Sequence, residues 1–298
     1  DALGDPAWCA PRRQYHCWRR FSGDEKFPRR VLRHCRKSSP SATKTDTQES
    51  PMNHAEYATM YALEESYWWF RARRTFLFGM LRDHAPTSSG KRLLDLGCGT
   101  GIAMTELESA GYSVVGLDYS AEALRFSRSR NTGAELLQGD AARLPFADAS
   151  FDVVVSLDVM EHVEDDVAMA AEIRRVLKPG GSAVINVPAH PFLWSDHDVA
   201  LHHFRRYTRA GLRQLLLSTG FTIKRLTFAM CAVFPIALVF RLDRRSTRAG
   251  AKPSSHVVAV PTLLNALLVK VLAAEAILLR RLNVPTGLSL MAVVKRET

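Results

Sequence analysis

The sequence predicts an α/β fold with a doubly wound, seven-stranded, mostly parallel sheet and an apolar helical insertion before the last strand. Short runs that are apolar throughout alternate with helical segments over residues 91–228, which indicates a sheet covered on both faces. A glycine-rich turn follows the first run, where open α/β sheets bind nucleotides. The predicted strands are RLLDLG, SVVGLD, AELLQGD, FDVVVSLD, SAVINVP, FTIKRLTFA and LSLMAVVKR.

Two segments precede the first strand. Residues 1–51 show no sustained periodicity and carry 11 basic against 6 acidic residues, so we expect a disordered leader that need not belong to the functional protein. Residues 52–90 have apolar positions at helical spacing and predict a helical lead-in. An aromatic cluster in this lead-in is either a lid over a ligand or plain core packing; its members are Tyr67, Trp68 and Trp69, followed by Arg71.

Charge and cysteine content narrow the function classes. The net charge of +10 comes partly from the leader, because the remaining residues hold 29 basic against 24 acidic side chains. No motif interleaves basic and aromatic residues as nucleic-acid modules do, so we expect no nucleic-acid partner. The five cysteines are odd in number and lack CxxC spacing, and no apolar run opens the chain. These features predict a cytoplasmic protein.

The glycine-rich turn carries an acid at an informative position. Asp95 ends the first strand and is followed by Gly97, Gly99 and Gly101, whose missing side chains let a ligand approach the backbone. A dinucleotide fingerprint would need a third glycine at position 102, which is Ile102. The carboxylate of Asp95 would repel a pyrophosphate but attract an ammonium group. The spacing therefore favours a cationic amino-acid ligand over a dinucleotide.

Three more strands end on residues suited to a nucleoside. Asp118 ends the second strand, where a carboxylate can accept both hydroxyls of a ribose. Asp140 ends the third strand and, with the amide of Ala141, is placed to hold an adenine amino group. Leu157 ends the fourth strand beneath the expected reactive centre. Four strand ends in this order are hard to obtain by chance.

At this point the chain resembles the class I S-adenosylmethionine-dependent methyltransferases, which have a Rossmann-like fold. The matching motifs are LLDLGCGTG, VVGLD, GDAARLPF, FDVVVSLDVMEHVED and RVLKPGG. The resemblance implies S-adenosyl-L-methionine as cofactor, a core over residues 91–228 and a final core strand within 285–298. We expect the cofactor to contact Asp95, Gly97, Gly99, Gly101, Asp118, Asp140, Ala141, Leu157 and Arg71.

A cluster after the fourth strand is the first candidate for chemistry. Asp158, Glu161 and His162 follow one another at helical spacing, which predicts one shared face. The element is similar to the E-x-x-E-H motif of ubiquinone-pathway O-methyltransferases, where it is associated with a divalent metal. Three interpretations stay open: His162 as a general base, a Mg²⁺ site made by all three residues, or a structural role.

A polar loop from residue 188 to 208 is the second candidate. It follows the fifth strand and resembles the W-S-x-H-D and H-x-R-R-Y pattern of a bacterial branch of these methyltransferases. His197 is an alternative base, and an arginine pair could bind an anionic acceptor group. The alternative is a solvated loop whose arginines pair with acids. The substrate-binding candidates are Trp194, His203, Arg205, Arg206 and Tyr207.

Residues 229–284 form the apolar insertion. A basic cluster from Arg241 to Lys252 separates its two apolar stretches, and neither stretch is an uninterrupted transmembrane span. The pattern suits peripheral contact with an anionic membrane, a lipidic acceptor, a homodimer interface or ordinary core.

Three functions follow from these motifs. The first is O-methylation of a small or hydrophobic, isoprenoid-like acceptor. The second is N- or C-methylation on the same fold, which needs no base at His162. The third is a non-catalytic module that binds S-adenosylmethionine as an adaptor.

Overall fold

A computed structural model describes residues 54–87, 90–130, 133–245 and 260–297. The leader predicted over residues 1–51 and the basic side chains from Arg241 to Lys252 lie outside the described part. The strands are β1 (Arg92–Leu96), β2 (Ser113–Asp118), β3 (Glu135–Gln138), β4 (Phe151–Leu157), β5 (Leu177–Pro188), β6 (Thr222–Ala229) and β7 (Ser289–Lys295). The α-helices are α1 (His54–Leu63), α2 (Trp68–His84), α3 (Ile102–Ser109), α4 (Ala121–Ser129), α5 (Asp166–Val176), α6 (Asp196–Ala200), α7 (Arg209–Ser218), α8 (Phe234–Arg245) and α9 (Thr262–Leu279).

The seven strands form one sheet in the order β3-β2-β1-β4-β5-β7-β6. All neighbours from β3 to β5 are parallel, whereas β7 lies antiparallel between β5 and β6. The predicted fold class, a doubly wound and mostly parallel sheet of seven strands, is confirmed. The strand order reverses direction at β1 and β4, so their carboxyl ends flank the crevice where such sheets bind ligands.

The central strands β1, β2 and β4 are mostly apolar because both faces of the sheet are covered. Leu94 and Leu96 of β1 belong to a buried cluster on one face with helices α5 and α7. Leu93 points to the opposite face, into a second cluster with α2, α3 and α9. Successive side chains of a strand alternate between faces, so Asp95 shares the second face with Leu93. A charged residue at the end of a buried strand is costly, which singles out Asp95 as a functional candidate.

The described residues of the lead-in contain two helices, and so do those of the insertion. The lead-in breaks between α1 and α2, just before the aromatic cluster. The insertion contains α8 and α9, and β6 extends one residue into its predicted start, to Ala229. By length and composition, α9 is the one helix in the described ranges that could cross a membrane, and 22% of that stretch is buried. Ordinary core packing therefore accounts for only part of the insertion.

Candidate functional site

The glycine-rich turn between β1 and α3 adopts backbone conformations that favour glycine. Gly97 has φ of 75° and Gly101 has φ of 87°. A Cβ on Gly97 would overlap the side chain of Val159, and one on Gly101 would overlap Ser127. The N–H of Gly99 donates to a carboxylate oxygen of Asp118 at 2.8 Å. The turn is thus held against the ends of β2 and β4, and its predicted close backbone approach is present.

Two carboxylates flank this turn, that of half-buried Asp118 and that of buried Asp95. Asp118 accepts hydrogen bonds from the N–H groups of Gly99 and Ser120, both at 2.8 Å. Burial raises its pKa, although these N–H donors lower it. Asp95 is buried, and its Oδ2 has no hydrogen-bond partner. Burial and the charge of Asp118 raise the pKa of Asp95 to about 7. An unpartnered buried carboxylate fits a cationic group of a ligand.

The third and fourth strand ends lie at the same edge. Asp140 is exposed, and its carboxylate accepts the N–H of Ala142 at 2.8 Å, which fixes the turn after β3. Ala141 beside it is buried. The carbonyl oxygen of Leu157 accepts a hydrogen bond from Arg73 at 2.9 Å. These positions are compatible with the predicted cofactor residues, whose contacts with a cofactor stay a prediction.

Arg73, rather than the predicted Arg71, is the lead-in arginine that reaches this edge. Its Nε lies 3.0 Å from Oδ2 of Asp158, and its guanidinium lowers the pKa of Asp95. Arg71 is exposed and lines a groove between α2 and α9. The sequence signal that could have separated the two is helical phase, since Arg73 precedes the apolar, buried positions Phe76, Leu77 and Met80 by three, four and seven residues.

Helix α1 covers the glycine-rich turn, which sequence reasoning missed. Glu64, just after α1, is buried and accepts hydrogen bonds from Thr100 of the turn and from Arg130 at 2.9 Å. Arg130 also donates to the carbonyl of Thr100 at 2.8 Å and stacks over the ring of Tyr61. The Cε of Met60 lies 3.5 Å from where a Cβ on Gly99 would be. The lead-in therefore acts as a lid over the turn.

The aromatic cluster itself is part of the lead-in's packing. Trp68 and Trp69 pack edge to face, and both lie against the buried cluster on the α2 face of the sheet. Tyr67 lies 5.8 Å from Trp68 between ring centroids. Of the two interpretations of this cluster, core packing describes these residues, and the lid is α1.

The cluster after β4 differs from the predicted one. Asp158 has a positive φ of 54°, and only Met160–His162 form a short 3-10 helix. Its carboxylate accepts a hydrogen bond from Asn186 at 2.5 Å and pairs with Arg73, although its charge still raises the pKa of Glu161. Glu161, His162 and His203 instead bring ligand atoms within 4.8 Å of one another. The predicted set of Asp158, Glu161 and His162 is corrected by this geometry.

This three-residue cluster does not fit Mg²⁺. Two imidazoles and one carboxylate are the donors of a borderline or soft cation, whereas Mg²⁺ prefers oxygen ligands. Glu161 is buried with its Oε2 unpartnered, and burial raises its pKa well above the usual range. Burial and neighbouring His203 lower the pKa of His162 to about 4. His162 is therefore neutral at pH 7 and a poor proton acceptor.

Asp198 is the centre of the polar loop after β5. Its side chain is fully buried and lies 2.9 Å from Nδ1 of His203. It also accepts from Nε of Arg206 at 2.7 Å and from the backbone N–H of Ser195 at 2.9 Å. Ring centroids of His203 and His162 are 4.6 Å apart in an edge-to-face contact. His203 therefore joins a buried acid to the cluster at the end of β4.

The predicted substrate-binding arginines are engaged within the protein. Arg206 is bound to Asp198 and to the carbonyl of Ala189. Arg205 pairs with Asp166 at 2.7 Å, and the hydroxyl of Tyr207 donates to the same carboxylate at 2.9 Å. The sequence left two interpretations of these arginines, an anion-binding pair or a pair bound to acids of the protein, and the structure shows the second. An anionic acceptor group would have to break these ion pairs.

The remaining two loop candidates are at the surface. Trp194 is 37% exposed, and His197 is exposed on the short helix α6. Neither belongs to the cluster of Glu161, His162 and His203. His197 as a base is therefore not favoured by this geometry, whereas Trp194 is open to a hydrophobic ligand.

The sequence is similar to one family model and to named bacterial proteins. Residues 94–185 match the family model described as "Methyltransferase domain". A Mycolicibacterium smegmatis protein named "probable S-adenosylmethionine-dependent methyltransferase" is 33% identical over 168 residues, 56% of this chain and 64% of that protein. A Mycobacterium tuberculosis protein of the same description is 30% identical over 210 residues, 70% of this chain and 73% of that protein. The chain thus spans just under two thirds of the first relative and more of the second.

One further relative is named for its substrate, and one solved structure has a similar fold. A Renibacterium salmoninarum demethylmenaquinone methyltransferase is 39% identical over 102 residues, 34% of this chain and 43% of that protein. A solved complex joins the Haloferax volcanii Trm112 methyltransferase activator to a protein named as a methyltransferase. That match has a TM-score of 0.55 and 22% identity, covering 82% of this chain and 95% of the other. At this identity the structural match shows the shared fold.

Proposed function

Because the chain belongs to the S-adenosylmethionine-dependent methyltransferases, we propose that it transfers the cofactor's methyl group to a hydroxyl oxygen of a hydrophobic, isoprenoid-like acceptor. The observation that carries the proposal is the pairing of His203, whose side chain is 7% exposed, with fully buried Asp198 beside the end of β4. Methyl transfer to a hydroxyl needs an aligned acceptor and a group that takes its proton.

The cofactor is bound at the carboxyl edge of β1, β2 and β3 in this proposal. The unpartnered carboxylate of Asp95 takes the ammonium group, and Asp118 takes the ribose hydroxyls. Glycines in the turn leave room for the ligand beside the backbone. Asp140 and Ala141 lie beside the adenine. S-Adenosylmethionine carries a sulfonium, whose methyl group is the electrophile.

His203 is the proposed general base. Asp198 at its Nδ1 fixes the orientation of the imidazole, which leaves Nε2 as the ring atom that takes the proton from the acceptor hydroxyl. S-Adenosylmethionine held at this edge would supply the methyl group, which would pass to the acceptor oxygen as the carbon–sulfur bond broke and S-adenosylhomocysteine was released. His162 contributes less as a base, because its pKa of about 4 keeps it from holding a proton at neutral pH.

Two observations support a hydrophobic acceptor. The polar loop that carries this base also carries exposed apolar side chains, those of Phe192, Trp194 and Phe204. A relative over one third of the chain is named for demethylmenaquinone, an isoprenoid quinone. Its coverage is partial, so the acceptor class is a proposal.

The test is label transfer from methyl-labelled cofactor to lipid and metabolite extracts, followed by kinetics on the labelled acceptor. We expect His203→Ala to lower kcat by about 10²- to 10⁴-fold while calorimetric binding of S-adenosylhomocysteine stays unchanged. His197→Ala is the matched control and should keep turnover. His203→Asn, which can still donate to Asp198, distinguishes loss of the base from collapse of the loop.

Three results would overturn the proposal. Full turnover in His203→Ala removes the base assignment. A product methylated on nitrogen or carbon removes the O-methyl assignment, and absence of label transfer together with absence of cofactor binding removes catalysis itself. Each result points to a different step, because binding and turnover are measured separately.

A further inference from the structure

Helix α9 presents an apolar outer face that nothing in the described residues covers. Its outward positions recur at helical spacing and include Leu263, which is 87% exposed, and Leu267, which is 56% exposed. Further exposed apolar positions on the same stripe are Leu264, Val271, Ile277 and Leu278. Lys270 is the one charged residue among the exposed positions of α9. Monomers in water rarely leave so continuous an apolar stripe open.

The opposite face of α9 is built into the protein. Leu272, Ala276 and Leu279 belong to the buried cluster with α2. Buried Glu275 accepts the N–H groups of Cys231 and Ala232, both at 2.9 Å, which fixes α9 to the start of α8. The helix is thus apolar on both sides but held along its length by the domain. It is suited to lie in the plane of a membrane surface, with its outer face in the lipid.

The edge of this face is basic. A groove of about 800 Å³ runs between α2 and α9. Four arginines and a single glutamate line it, and these charged residues are Arg71, Arg74, Arg82, Arg280 and Glu106. Arg74 pairs with Glu106 and Arg280 with Asp83, whereas Arg71 and Arg82 make no ion pair with any described residue. Two exposed cations therefore stand beside the apolar stripe.

We propose that the α9 face docks this protein onto an anionic lipid bilayer, with Arg71 and Arg82 against lipid phosphates. Shallow insertion of leucines next to arginines that meet headgroups is the chemistry that interfacial helices use. Charge favours this occupant over a second copy of the chain. A two-fold dimer through this face would bring two basic grooves together, whereas an anionic surface neutralises them.

The test is vesicle sedimentation of the full chain with two kinds of liposome, neutral phosphatidylcholine alone and the same lipid with about 30% phosphatidylglycerol. We expect binding to the anionic vesicles that weakens with added salt. Leu263→Ser with Leu267→Ser, and Arg71→Glu with Arg82→Glu, should each weaken it by at least about tenfold. The matched control, Val167→Ser with Leu217→Ser, changes exposed apolar residues on α5 and α7 and should bind as wild type.

Folding and oligomeric state are measured in the same samples. Every variant should bind S-adenosylhomocysteine and melt as the wild type does, so that a lost vesicle interaction is not a lost fold. The proposal is overturned if the wild type binds neither vesicle, or if the double serine variant on α9 binds as tightly as wild type. A solution dimer that this variant converts to monomer would also overturn it, and would assign the face to self-association.

Discussion

The pKa of Asp95 predicts how cofactor affinity depends on pH. Burial, Asp118 and Glu64 raise that pKa and Arg73 lowers it, and the net result is a pKa of about 7. Only ionised Asp95 attracts the ammonium group, so affinity should fall as Asp95 takes up a proton below pH 7. At about pH 5.5 roughly 3% of Asp95 is ionised, so S-adenosylhomocysteine should bind about 30-fold more weakly than at about pH 8. Calorimetry across this range measures the change.

Asp95→Asn tests the same reasoning from the side of stability. A raised carboxyl pKa contributes stability below its ordinary value of 3.8, and that contribution is lost as the pH rises to about 7. Ionised Asp95 therefore costs the ligand-free fold up to about 4 kcal/mol at about pH 8. Asp95→Asn should melt several degrees higher there, bind ligand more weakly, and lose most of the pH dependence of affinity. Equal affinity at both pH values in the wild type, or an unchanged melting temperature in the variant, would refute this account.

Two other substitutions, with one control variant, probe the turn and its lid. Gly97→Ala forces a Cβ into the side chain of Val159 at a φ of 75°, and should destabilise the fold by about 2–4 kcal/mol in thermal melts. A stable Gly97→Ala variant that binds cofactor would contradict the close packing. Glu64→Ala removes the acceptor of Thr100 and Arg130, and should cost about 1–3 kcal/mol and make α1 easier to cleave by protease. Glu65→Ala, which removes an exposed partner of Arg130, should cost under about 1 kcal/mol; equal effects would count against the lid.

The strands and the fold class were predictable from local sequence patterns, but the order in which the strands pair in the sheet was not. Most of the seven strands are short, largely apolar runs, so their existence can be inferred without knowing their neighbours. The position of β7 between β5 and β6 depends on contacts between segments far apart in sequence. The break in the lead-in also escaped prediction, because helical spacing continues across residues 64–67.

The cofactor turn was predictable for the same reason, since Asp95 and its glycines are one short motif. Arg71 was preferred to Arg73, although two positions on an α-helix differ by about 200° around the axis and face opposite sides. Asp158 was grouped with Glu161 and His162 by assuming a continuous helix, but its positive φ breaks that spacing. His203 lies 41 residues beyond His162, so only the fold brings the two rings together.

The glycine-rich turn and the cluster after β4 both contain acids that burial makes harder to ionise. Glu64, Asp95, Asp118 and Glu161 are acids whose pKa burial raises, all near one edge of the sheet. Asp95 and Glu161 each have a carboxylate oxygen without a hydrogen-bond partner, so their ionisation opposes folding of the ligand-free domain. With a cationic ligand present, ionisation of these acids favours the folded state, because the ligand binds the ionised form and stabilises the folded state by mass action. Stabilisation by S-adenosylmethionine should therefore grow from about pH 5.5 to about pH 8, the range in which the free protein loses stability.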